Sequence, residues 1–159
     1  MDAPDAPLNS CARRSSVQPR PLCYDGAVID GDRNAAHAIS DVLQRHPGVR
    51  LAVVFGSRAR GDATAASDWD IGYLADDRLD RERLMADLVR ALDTERIDLV
   101  DLERAGGLVR FRAARDGTVV FEAAPDAFAR FWLEAVTFWC DAGPVIRAGC
   151  DHLLAELPR

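Results

Sequence analysis

Ten residues separate the pair Gly56-Ser57 from the run Asp68-Trp69-Asp70. Each group suits one half of a single chemistry. Gly56 has no Cβ, so the backbone there can turn sharply or come close to a ligand. Ser57 fits a helix N-cap, with Arg58, Ala59 and Arg60 as the first turn. A helix start offers free N–H groups and partial positive charge to phosphate oxygens. Ser57 adds a hydroxyl, Arg60 a planar cation, and Gly61 ends the turn. Arg58 is equally suited to phosphate and to solvent. Side chains alternate along a strand, so Asp68 and Asp70 share a face and Trp69 points away. Two carboxylates on one face repel unless a cation sits between them. Magnesium takes oxygen ligands and keeps places for water and phosphate, so it suits this pair.

The elements that position these groups are legible on either side. Leu51-Ala52-Val53-Val54-Phe55 is an apolar, β-branched run closed by Gly56, which predicts a buried strand. Ala63 to Ala66 reads as a surface loop, and Ser67 orients the approach to Asp68. A second strand runs from about Asp68 to Leu74, with Trp69 and Tyr73 assigned to the core. A third carboxylate should come from Arg96-Ile97-Asp98-Leu99-Val100-Asp101-Leu102, a strand-like run with embedded acids. Asp98 and Asp101 lie an odd number of positions apart and face opposite sides, so one of them can join the site. Asp98 is preferred because it lies nearer the strand's start, alongside Val100 and Leu102.

Together, Val53 to Gly61, Ser67 to Ile71 and Ile97 to Leu102 resemble the minimal nucleotidyltransferases of the DNA polymerase beta-like superfamily. The likeness spans roughly residues 34–123. Many such proteins are the antitoxin of a pair with a HEPN-domain toxin. The resemblance implies that Gly56, Ser57, Arg60 and Ser67 bind the nucleotide, and that Asp68, Asp70 and Asp98 are catalytic and hold two Mg²⁺ ions. It also supports Asp98 over Asp101. It implies ATP as substrate, AMP transfer onto a tyrosine of the HEPN partner, and pyrophosphate as leaving group. Two other functions fit the same residues: nucleotidyl transfer to a small molecule or an RNA end, and a non-catalytic antitoxin that masks its partner by binding.

The fold expected is α/β, a small mixed β-sheet with helices packed on one face. Helices are predicted over Arg33–Arg45 (capped by Asp32 and stopped by His46-Pro47-Gly48), Asp80–Leu92 and Arg110–Arg115. Thr118–Phe121 reads as an edge strand or hairpin arm. A long helix from Asp126 to about Leu157 should kink or split near Pro144. Its stripe of Phe128, Trp132, Ala135 and Trp139 is assigned to the core. In domain terms, 1–28 is a disordered leader, 29–123 the nucleotidyltransferase domain, and 124–159 a helical segment packed on that domain.

Composition narrows the class. A chain of 159 residues with 48% hydrophobic residues can build one ordinary core. The net charge of −6 argues against a general nucleic-acid binder. Arg110, Arg112 and Arg115 make a local exception, read first as a solvated face. The cysteines Cys11, Cys23, Cys140 and Cys150 form no CxxC pair, and His37, His46 and His152 lack metal spacing, so zinc is disfavoured. With no apolar run long enough for a membrane and no signal-peptide core, a cytoplasmic location is expected.

Overall fold

The computed structural model describes residues 30–156; the expected leader lies outside them. In chain order the elements are α1 (Asp30–Gln44), β1 (Val49–Phe55), α2 (Gly56–Arg60), β2 (Trp69–Ala75), α3 (Arg81–Leu92), β3 (Ile97–Asp101), α4 (Gly107–Asp116), β4 (Thr118–Glu122) and α5 (Ala127–Glu156). The four strands form one sheet in the order β3-β2-β1-β4. β1 runs antiparallel to both β2 and β4, and β2 runs parallel to β3. The mixed α/β fold expected from the sequence is present.

One part of that expectation is corrected: the helices cover both faces of the sheet. Ile39, Val42 and Leu43 of α1 and Leu84 and Leu88 of α3 pack with Ala52, Val54, Trp69, Ile71, Tyr73 and Leu99. On the opposite face, Leu51, Val53 and Phe55 pack with Ala113 and Ala114 of α4 and Phe131 and Ala135 of α5. This explains the unbroken apolar run of β1, since a strand buried on both faces has no polar alternation to show.

Local chemistry fixes several element ends. Asp80 caps α3, its carboxylate accepting the Arg83 N–H at 3.0 Å. α1 starts earlier than the cap expected at Asp32 and ends at Gln44, and the chain then turns through Gly48 at φ 99°. β4 is an outer strand, as its position after Gly117 suggested.

α5 departs from expectation twice. It remains one helix through Pro144, without the split expected there. Pro144 is exposed, and at an exposed position water can serve a carbonyl that the proline leaves without a donor. Its inward face is also rotated from the expected stripe. Phe131 is 2% exposed and Ala135 is buried, whereas Trp132 is 44% exposed. Trp139 instead stacks on Phe111 of α4, with ring centroids 5.3 Å apart. Arg110 pairs with Glu134 at 3.3 Å and lies over the Phe131 ring, and Arg115 pairs with Asp116 at 2.6 Å. Two of the three clustered arginines thus have partners within the fold. Cys140 is exposed and forms no disulfide.

Candidate active site

The parallel ladder of β2 and β3 sets Asp70 opposite Asp98. Register partners on adjacent strands send their side chains to the same face. Trp69, Ile71 and Leu99 belong to the core shared with α1 and α3, so Asp70 and Asp98 project from the other face. Asp68 lies one step before β2 on that same side. Asp101 instead pairs with Tyr73 in register. It sits on the opposite face, where its carboxylate accepts the Glu103 N–H at 2.9 Å and lies 3.6 Å from Arg104.

The turn from β1 into α2 is built against this acid pair. Phe55 is the register partner of Asp70, and Gly56 follows at φ 74°, a conformation that favours glycine. A Cβ on Gly56 would overlap the Asp70 carboxylate, so only glycine allows this approach. Ser57 is not the N-cap: Phe55 holds that position and no side chain caps α2. Ser57 stands in the first turn, one residue inside, because the glycine at positive φ begins the turn earlier than a serine cap would. Gly61 closes α2 in the left-handed region at φ 77°.

The remaining candidates lie around this turn. Arg60 is exposed and pairs with Asp62 at 3.2 Å. Ser67 ties its own loop together: its Oγ accepts the Thr64 N–H at 2.9 Å, and its N–H donates to the Thr64 carbonyl at 3.0 Å. Arg58 is turned toward the loop before β2. It donates to the Ser67 and Asp68 carbonyls and lies over the Trp69 ring. Arg96 donates to the Ala66 carbonyl at 2.9 Å. Sequence reasoning gave Arg58 and Arg96 no such part. The available signal was that an acid at the end of a polar loop needs an anchor, and both arginines flank its supporting strands.

The electrostatics identify a place for positive charge. Burial pushes the Asp70 carboxyl above its ordinary value, and Asp98 and then Asp68 push it further; Arg60 pulls the other way. Among the described residues, no three His, Cys, Asp or Glu side chains form a ready-made metal cage. Magnesium needs none, since it is commonly held by one or two carboxylates with water and substrate phosphates. Oxygen-only acids, mutual repulsion at Asp70 and a phosphate-compatible turn beside it fit a cation shared with a nucleotide.

Residues 37–126 match the family model described as polymerase beta, nucleotidyltransferase. The chain belongs to that family. Protein adenylyltransferase MntA of Aphanizomenon flos-aquae is 31% identical over 102 residues, covering 57% of this chain and 68% of that protein. A crystal structure of a toxin–antitoxin with AMP-PNP contains a chain with 27% identity and a TM-score of 0.65, over 75% of this chain and 98% of its own. A structure of tri-AMPylated Shewanella oneidensis HEPN toxin in complex with MNT antitoxin gives 25% identity and a TM-score of 0.60, over 76% and 96%. No helix among the described residues is long and apolar enough to cross a membrane.

Proposed function

We propose that this nucleotidyltransferase is an antitoxin that moves AMP from ATP onto a tyrosine of a HEPN-type toxin. The observation that carries the reading is the pairing of Asp70 with Asp98 directly against the Gly56 turn. The relatives add the acceptor: one is named a protein adenylyltransferase, and another accompanies an AMPylated HEPN toxin.

In this reading the first turn of α2, with Gly56 and Ser57, binds the β and γ phosphates, and Arg60 swings from Asp62 to a phosphate oxygen. Ser67 shapes the nucleotide side of the site through its loop. Asp68, Asp70 and Asp98 would hold two Mg²⁺ ions, which when bound supply charge neutralisation for the entering and leaving oxygens. Asp98, on the outer strand, stands where the tyrosine hydroxyl arrives. The hydroxyl attacks the α-phosphorus in line, the bond to the β-phosphate oxygen breaks, and pyrophosphate leaves. The chain contributes position and charge, without a covalent intermediate of its own. Residues 29–123 carry this chemistry and 124–159 buttress it. The setting is the cytoplasm, where ATP is available.

Intact-mass measurement tests this. The purified chain, ATP, Mg²⁺ and a HEPN-domain toxin should yield a toxin heavier by one or more AMP units. Asp68→Asn should abolish the gain while the fold is kept. Toxin silenced with no added mass, and equally by Asp68→Asn, would replace transfer with masking.

A further inference from the structure

The loop before β2 is held from two sides by arginine side chains. Arg58 sits on α2, two residues after Gly56. Its Nη2 donates to the Ser67 carbonyl at 2.7 Å and its Nε to the Asp68 carbonyl at 3.2 Å. Its guanidinium carbon lies 4.2 Å from the Trp69 ring centroid, and Trp69 is itself buried in the core beneath α1 and α3. From the other side, Arg96 donates to the Ala66 carbonyl at 2.9 Å, and its own carbonyl accepts the Trp69 N–H at 2.8 Å. Each residue from Ala66 to Trp69 therefore has a backbone atom bound by one of these two arginines.

The two aspartates of the DxD pair differ in their need for this support. Asp70 lies inside β2 with strand partners on both sides, Phe55 and Asp98. Asp68 precedes the strand and is exposed. Its backbone position depends on the loop, and the loop is tied to α2 through Arg58. We propose that Arg58 is a positioning residue that fixes Asp68 relative to the Gly56-Ser57 turn, and so sets the distance between the cation and the nucleotide phosphates. It acts through Asp68 and does not touch the nucleotide. The role requires arginine. Two carbonyls and an aromatic face are engaged by one planar fork, which a lysine ammonium cannot reproduce. Arg60 is the contrast: its guanidinium pairs with an exposed aspartate two residues away, so it can turn to a ligand without releasing the loop.

This rests on the reading of Asp68 as a cation ligand, and its test avoids the acceptor altogether. AMP-PNP binding is measured with EDTA, and then as a function of Mn²⁺, for wild type, Arg58→Lys, Asp68→Asn and the double variant. Amide hydrogen exchange follows residues 66–69 in the free proteins. Arg58→Lys should leave the EDTA affinity within about twofold and raise the half-saturating Mn²⁺ about 10- to 100-fold, the usual effect of removing an outer partner of a metal ligand. Exchange at residues 66–69 should quicken. Added to Asp68→Asn, the lysine should shift the Mn²⁺ requirement no further. Arg58→Lys keeps the charge and serves even if Arg58→Ala fails to fold. Weaker AMP-PNP binding in EDTA with an unchanged Mn²⁺ requirement would make Arg58 a direct phosphate ligand and overturn the proposal. So would full additivity with Asp68→Asn. These shifts in Arg58→Lys, together with a wild-type chain that adds no AMP to a toxin, would retire the transfer reading and leave this one standing.

Discussion

Gly56 and Asp70 are in such close contact that any side chain at position 56 would occupy the space of the Asp70 carboxylate. The turn that would meet phosphate and the acid that would meet the cation are thereby set at one fixed spacing. Gly56→Ala should both displace Asp70 and strain a backbone at φ 74°. Strain of this kind costs about 1–3 kcal/mol. Thermal melting should show that loss, and AMP transfer measured by mass should fall to background. Retained transfer would mean that the spacing is unimportant.

Asp70 should make stability respond to pH and to magnesium. Its folded value is raised, by burial first and then by Asp98 and Asp68. A raised carboxyl contributes stability below its unfolded value and loses it as pH rises through the folded value. Without divalent ions, wild type should therefore lose stability relative to Asp70→Asn on going from acid to neutral pH. Adding Mg²⁺ at neutral pH should raise the wild-type melting temperature and leave that of Asp70→Asn nearly unchanged. Equal rises in both proteins would place the ion elsewhere.

How much of this was legible in the chain varies by residue. β2 was readable because Trp69, Ile71 and Tyr73 alternate with Asp68 and Asp70, a pattern set by strand geometry alone. The choice of Asp98 over Asp101 began with parity, but the meeting of Asp98 with Asp70 depends on the register across a parallel crossover, which no local pattern encodes. Phe131 and Trp132 show the same limit. Both lie on an amphipathic helix, and which one turns inward is decided by where α4 and the second sheet face sit. Covering of the second face did leave a signal, the apolar run of β1 without polar alternation, but which helices supply the cover is not written in that strand. The part of Arg58 in anchoring the loop was not legible, because its partners are backbone carbonyls, and these leave no trace in side-chain spacing.

Phe131 and Trp132 also give a packing test. Phe131→Ala empties the core between the sheet and α4–α5 and should cost about 3–5 kcal/mol. Trp132→Ala, at a position 44% exposed, should change stability by about 0.5 kcal/mol. Urea unfolding of the two variants distinguishes this arrangement from the stripe expected by sequence, for which the larger loss would fall on Trp132.

The buried His46, in the turn after α1, is tied to α3 through Asp87, with its Nε2 2.9 Å from the carboxylate. Asp87→Ala leaves a buried ring nitrogen without that partner, so the variant should be less stable than wild type. The hydrogen bond to His46 is the main reason that the Asp87 carboxyl lies below its ordinary value. A lowered carboxyl contributes stability above its unfolded value and loses it as pH falls through the folded one. The gap between wild type and Asp87→Ala in urea should therefore be full at neutral pH and shrink in the acid range. A gap that widens on acidification would assign the stabilisation to another group.

β3 ends the sheet on the side of the acids, and Asp98 is exposed upon it. Enzymes for small substrates commonly enclose them in a concave, apolar-lined cleft. Here the attacking group would approach a flank, so its owner can be of any size. Discrimination among targets would then be written in the relief surrounding the hydroxyl, and a lineage could acquire a new target by redrawing a contact face while every acid stays where it is.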